Sequence, residues 1–116
     1  MQNNLTIYHN PRCSKSRKAL EILKEENIFH TIINYQVEGL NKKDLYSYIL
    51  LSGLNPLNFI RTKEKEFIKF KNKDLSSSEA VAEVLSSHPK LLERPLIVYD
   101  KNVIIARPPE LIKEIL

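Results

Sequence analysis

Residues 5 to 35 read strand, turn, helix, strand, and that order leaves few folds open to the chain. Leu5 to Tyr8 is a short β-type run that Asn10-Pro11 ends. From about Ser14 to Glu26 the period turns helical, with Ala19, Leu20 and Leu23 on one face and Arg17, Lys18, Glu21 and Lys24 mostly outside. Phe29 to Tyr35 (F-H-T-I-I-N-Y) is rich in β-branched and aromatic residues and reads as a second strand. Strand, helix and strand over so short a span form a βαβ unit, with parallel strands and a right-handed crossover.

The middle of the chain is helical and more polar. Asn41 caps a predicted helix that runs to about Leu51 and stops at Gly53. Pro56 opens a short segment to about Ile60, and another helical turn or two is expected between Thr62 and Phe70. Ser76-x-x-Glu79 has the form of a capping box ahead of Val81, Val84 and Leu85, in a helix that His88-Pro89 ends. Leu96 to Tyr99 and Val103 to Ala106 then read as a hairpin around Asp100-Lys101-Asn102, and Pro108 and Pro109 open a final helix. The pattern is βαβ, a helical insertion at about residues 40–90, then ββα, all expected within one α/β domain of residues 1–116.

With 42% apolar residues the chain can build a core without staples, and its one cysteine rules out an internal disulfide. No second Cys and no closely spaced His pair supplies zinc ligands, so no metal site is expected. The net charge of +4 is spread along the chain and interrupted by acids, so it suits an anionic ligand without calling for nucleic acid. The opening M-Q-N-N-L-T-I-Y-H-N lacks the character of a secretion signal, and no apolar run approaches a membrane span. A cytoplasmic protein, free of membrane, is expected.

The sharpest signal is His9-Asn10-Pro11-Arg12-Cys13-Ser14-Lys15-Ser16-Arg17-Lys18. His9, Arg12, Lys15, Arg17 and Lys18 surround one thiol, and no acid follows until Glu21. Cys13 falls in the strand-to-helix turn, where free backbone N–H groups and the positive end of the helix dipole favour thiolate over thiol. The same N–H groups suit an anion, so nucleophile and anion cradle coincide. A lone cysteine is otherwise at home in a core, but a core position is seldom followed by S-K-S-R-K. His9 either donates a hydrogen bond to the thiolate or caps the turn. Ser16 either donates its hydroxyl to the sulfur or is a neutral helix residue. His30 and His88 read as structural.

There are five arginines, Arg12, Arg17, Arg61, Arg94 and Arg107, and two of them directly precede prolines. A residue before proline is held extended, which limits where its side chain points. A planar guanidinium also grips a tetrahedral oxyanion better than an ammonium does. If the third strand neighbours the first, Arg94 lies near the Cys13 turn. Arg107 is placed less closely by this reasoning, and Arg61 sits in the helical insertion. The alternative for each is a surface residue with a minor ion pair.

Taken together, H-N-P-R-C-S-K-S-R-K, N-F-I-R-T, L-L-E-R-P-L-I-V and A-R-P-P-E make the chain resemble the glutaredoxin-linked arsenate reductase family over essentially its whole length. The departures are Arg12, Ser14 and Lys15, where better-known members carry smaller residues. The resemblance implies a thioredoxin-like fold with a four-stranded mixed sheet and a helical insertion, and a cis bond before Pro95. It implies that Cys13 attacks arsenate, that Arg61, Arg94 and Arg107 hold the oxyanion, and that His9 and Ser16 help keep the thiol ionised. With no second cysteine, the adduct must be resolved by an outside thiol, glutathione followed by glutaredoxin. No bound cofactor is expected, and the protein is expected to be a monomer. Other members of the superfamily suggest alternatives. One is a glutathione-dependent thiol reductase with another substrate. The other is an Spx-type regulator that binds RNA polymerase, although the second cysteine of its C-x-x-C switch is Ser16 here.

Overall fold

A computed structural model describes residues 4–116; Met1 to Asn3, part of the opening stretch without signal character, lie outside it. The chain divides into two compact units, one made of the residues up to Glu38 together with Arg94–Leu116, the other of Gly39–Glu93.

The first unit carries the sheet. β1 (Leu5–His9) is followed by α1 (Ser14–Glu25) and β2 (His30–Asn34), which lies parallel to β1 with Leu5 opposite His30 and His9 opposite Asn34. β3 (Leu96–Tyr99) runs antiparallel on the other side of β1, and β4 (Asn102–Ile105) closes the order β2-β1-β3-β4. One parallel and two antiparallel pairings make the four-stranded mixed sheet of a thioredoxin-like fold. Alternate residues of β1, Leu5 and Ile7, face Ala19, Ile22 and Leu23 of α1, and Ile97, Ala106 and Ile112 complete this core. Leu23 is fully enclosed there, so Leu23→Ala is expected to lower stability by about 2–5 kcal/mol in urea unfolding.

The strand after α1 is shorter than its β-rich sequence suggests. β1 ends at His9, so the ladder has no partner beyond Asn34. The Asn34 N–H donates instead to Glu38 Oε2 at 3.1 Å, closing the short helix α2 (Tyr35–Glu38). The hairpin turn is tighter than expected. Tyr99 pairs with Asn102, leaving Asp100 and Lys101 at the tip, with Asp100 at φ 57. The final predicted helix is a 3₁₀ segment, Pro109–Glu114. The bond before Pro95 is cis, as the resemblance implied, and so is the one before Pro108.

In the second unit α3 (Lys42–Ser52) packs against α4 (Ser78–Ser87). Asn41 caps α3 through Asp44 N–H at 3.0 Å, and Gly53 at φ 69 ends it. The cap of α4 lies one residue later than the capping box predicted. Asp74 Oδ1 takes both the N–H and the hydroxyl of Ser76, so Ser77 accepts from Ala80 N–H at 3.1 Å. Pro56–Phe59, Lys65–Phe70 and Pro89–Leu91 are 3₁₀ turns, and a bridge between Ile60 and Leu92 ties two connecting segments together.

Candidate active site

Between the end of β1 and the start of α1 the chain has four residues, Asn10 to Cys13, and no ladder of its own. Asn10 organises them. Its N–H donates to Ser16 Oγ at 3.0 Å, its Oδ1 accepts from Arg12 N–H at 3.0 Å, and its carbonyl accepts from Cys13 N–H at 3.0 Å. Arg17 reaches back from α1 and donates through Nη1 to the Pro11 carbonyl at 2.9 Å. The turn is therefore held by side chains as much as by backbone.

This loop delivers Cys13 to the N-cap of α1 in extended conformation (φ −96, ψ 122), a place usually taken by Ser, Asp or Asn. The sulfur makes no close capping bond of the oxygen type, but the N–H groups of Ser16 and Lys15 act on it at longer range. No acid stands in the first turn of α1, so nothing competes with the sulfur for the positive end of the helix. Burial, the largest single influence, pushes the thiol pKa up, since the side chain is only 8% exposed. Against it stand a hydrogen bond from Arg94, the Ser16 and Lys15 N–H groups and the charge on Arg94. Together they hold the thiol below its ordinary value.

Arg94 gets there by topology. Because β3 is antiparallel to β1, Leu96 lies opposite Tyr8, and the residues just before β3 come alongside the turn after β1. Arg94 hydrogen-bonds the sulfur, while its Nε and Nη1 are buried with no hydrogen-bond partner among the described residues. Arg107 follows β4, which pairs with β3, and its Nη1 donates to the Arg94 carbonyl at 3.0 Å. The two arginines that precede prolines thus meet. Arg61 belongs to the second unit, where its N–H donates to the Leu91 carbonyl and its guanidinium pairs with Glu64.

His9 and Ser16 are brought together, and their side chains bond to each other. His9 Nδ1 lies 2.6 Å from Ser16 Oγ, with the serine fully buried and the histidine nearly so. Burial first, and the Arg17 cation second, hold the His9 pKa below its ordinary value, so the ring is neutral at pH 7. A neutral ring offers one acceptor nitrogen, and the contact is satisfied when the serine hydroxyl donates to Nδ1. Of the two readings of Ser16 in the sequence, the hydroxyl serves His9 and Asn10, and the backbone N–H serves the sulfur.

Asn10 is the residue that the sequence did not single out. Asn10 carried only the signal of a turn former before proline. Arg17 stood in the sequence as one of five basic residues around the thiol and on the outer face of the helix, with no sign that it would reach back to the Pro11 carbonyl. No group of three or more His, Cys, Asp or Glu among the described residues could hold a metal ion. No helix among them is long and apolar enough to cross a membrane.

A thiol with a lowered pKa, beside buried guanidinium donors without partners at the start of a helix, is equipped to attack an oxyanion. A family model described as the ArsC family matches residues 8–115. The chain is 34% identical over 116 residues to an arsenate reductase of Haemophilus influenzae, covering 97% of this chain and 99% of that protein. It is 36% identical over 117 residues to the uncharacterized protein YfgD of Escherichia coli, covering 99% of this chain and 98% of that one. The solved structure of an arsenate reductase from Vibrio cholerae superposes with a TM-score of 0.90 at 34% identity, over 100% of both chains.

Proposed function

The chain belongs to the ArsC family, and from that membership we propose that it reduces arsenate to arsenite, with Cys13 as nucleophile and an external thiol as electron source. The observation that carries this reading is the pairing of Cys13, its pKa held down at a helix start, with the buried and unfilled Nε and Nη1 of Arg94. The thiolate attacks arsenic, and a sulfur–arsenic bond replaces an arsenic–oxygen bond whose oxygen leaves as water. Arg94 and Arg107 offset the negative charge, and the burial of Arg94 Nε and Nη1 makes its share more effective than in bulk water. For Arg61 the family pattern is the ground for the same assignment.

Reduction of arsenic from the +5 to the +3 state needs two electrons, and two thiols supply them by forming a disulfide. Cys13 is the single cysteine of the chain. The second thiol therefore comes from outside, glutathione by this reading, and leaves Cys13 in a mixed disulfide that glutaredoxin reduces. Such a cycle belongs in a reducing compartment such as the cytoplasm.

The test is a coupled assay that follows NADPH consumption with arsenate, glutathione, glutaredoxin and glutathione reductase. Turnover that depends on both arsenate and glutaredoxin is expected. Consumption that proceeds equally without arsenate would replace this reading with a thiol reductase of another substrate.

A further inference from the structure

The peptide that joins Pro11 to Arg12 stands immediately before the nucleophile and is held at both ends by side chains. Its carbonyl accepts from Arg17 Nη1 at 2.9 Å, and its N–H donates to Asn10 Oδ1 at 3.0 Å. In a trans peptide these two groups point in opposite directions, so the pair of bonds fixes the rotation of the plane, which neither bond does alone. We propose that Arg17 is a positioning residue for Cys13, fixing through this peptide plane the place from which the sulfur is presented.

The loop needs such a brace. β1 ends at His9 and α1 starts at Ser14, so no ladder and no helix bond holds the Pro11–Arg12 peptide. The next peptide is bound to Asn10 as well, through Cys13 N–H and the Asn10 carbonyl. Rotation of the first plane would drag the second, and with it the sulfur. Arg17 is anchored from the other side, because its own N–H donates to the Cys13 carbonyl at 3.0 Å. Its backbone thus touches the residue that carries the nucleophile, and its side chain touches the residue two before it.

An exposed arginine bonded to a carbonyl adds little to global stability. Its effect is on geometry. A nucleophile displaced by a fraction of a bond length loses rate steeply, with no matching loss of substrate binding. The cation also lies near His9 and favours the uncharged ring, while Ser16, Asn10 and the register neighbour Asn34 around that ring carry no charge.

For arsenate turnover the inference rests on Cys13 being the nucleophile; for thiol reactivity it does not. The experiment compares Arg17→Met with Lys24→Met, which removes an equal charge from the exposed far end of the same helix. Iodoacetamide alkylation of Cys13 is followed against pH, and kcat and KM are measured with arsenate. In Arg17→Met the high-pH plateau rate is expected to rise about threefold or more as the sulfur leaves its enclosed position, with little change in the midpoint. The kcat is expected to fall roughly tenfold with KM within about twofold. Lys24→Met is expected to match the wild type in every reading. A plateau in Arg17→Met equal to that of Lys24→Met overturns the proposal, as does an unchanged kcat. If the wild-type protein shows no arsenate turnover, the proposed function fails, and the alkylation plateau still decides whether Arg17 positions the thiol.

Discussion

Cys13→Ser will eliminate arsenate turnover, by at least about a thousandfold, and leave the protein as stable as before. The two halves of this result come from one substitution at an N-cap. A serine hydroxyl ionises so far above neutrality that Arg94 and two N–H groups cannot make it an anion, so no nucleophile remains. As a helix cap, however, serine is better suited than cysteine, since its oxygen bonds the N2 or N3 amide at ordinary distance. The present sulfur makes no such close bond. The coupled NADPH assay and a thermal melt check both halves. Turnover above a few per cent of wild type would take Cys13 out of the chemistry.

Arg94→Met will act on the thiol before it acts on arsenate. Burial pushes the Cys13 pKa up, and Arg94 contributes the largest counterweight as a hydrogen bond and a further one as a charge. Without it the midpoint of the alkylation profile will move to higher pH, and turnover at neutral pH will fall on the order of a hundredfold. Arg94→Lys will restore part of the midpoint but little of the rate, because an ammonium supplies charge without a fork. Stability carries the same sign. A thiol whose folded pKa lies below its unfolded value contributes stability that is fully present above the unfolded pKa and is lost as pH falls through the folded one. Urea unfolding at a series of pH values will show that increment in the wild type and its reduction in Arg94→Met. An alkylation midpoint that does not move would remove Arg94 from the account of the thiolate.

The βαβ opening and the closing hairpin were legible because they rest on local periodicity. Leu5, Ile7, Ala19 and Leu23 announce their faces in sequence, and their core follows. Arg94 was legible for a topological reason, since a third strand beside the first brings its leading residues to the Cys13 turn. What escaped depends on competition between partners. Ser76 and Ser77 both suit a cap, and only the demand of Asp74 on Ser76 selects Ser77. Phe29 to Tyr35 is rich in β-branched and aromatic residues, and the length of β1 ends the ladder at Asn34. For His9 and Ser16 the sequence left two readings open each, and the bond they share is settled by which atoms a buried helix turn brings within reach. Asn10 was invisible as an organiser because three bonds from one residue leave no periodic trace.

The bare first turn of α1 has one more consequence. Most helices carry a carboxylate or hydroxyl that permanently answers their leading amides, whereas here a reactive atom holds that post. Whatever neutralises it, whether a proton, an alkyl group or a covalent partner, also takes away the counter-ion of the helix. In the proposed cycle the reactivity of this sulfur and the firmness of the turn behind it are coupled, so chemistry at Cys13 is expected to loosen the element that presents it and then to tighten it again.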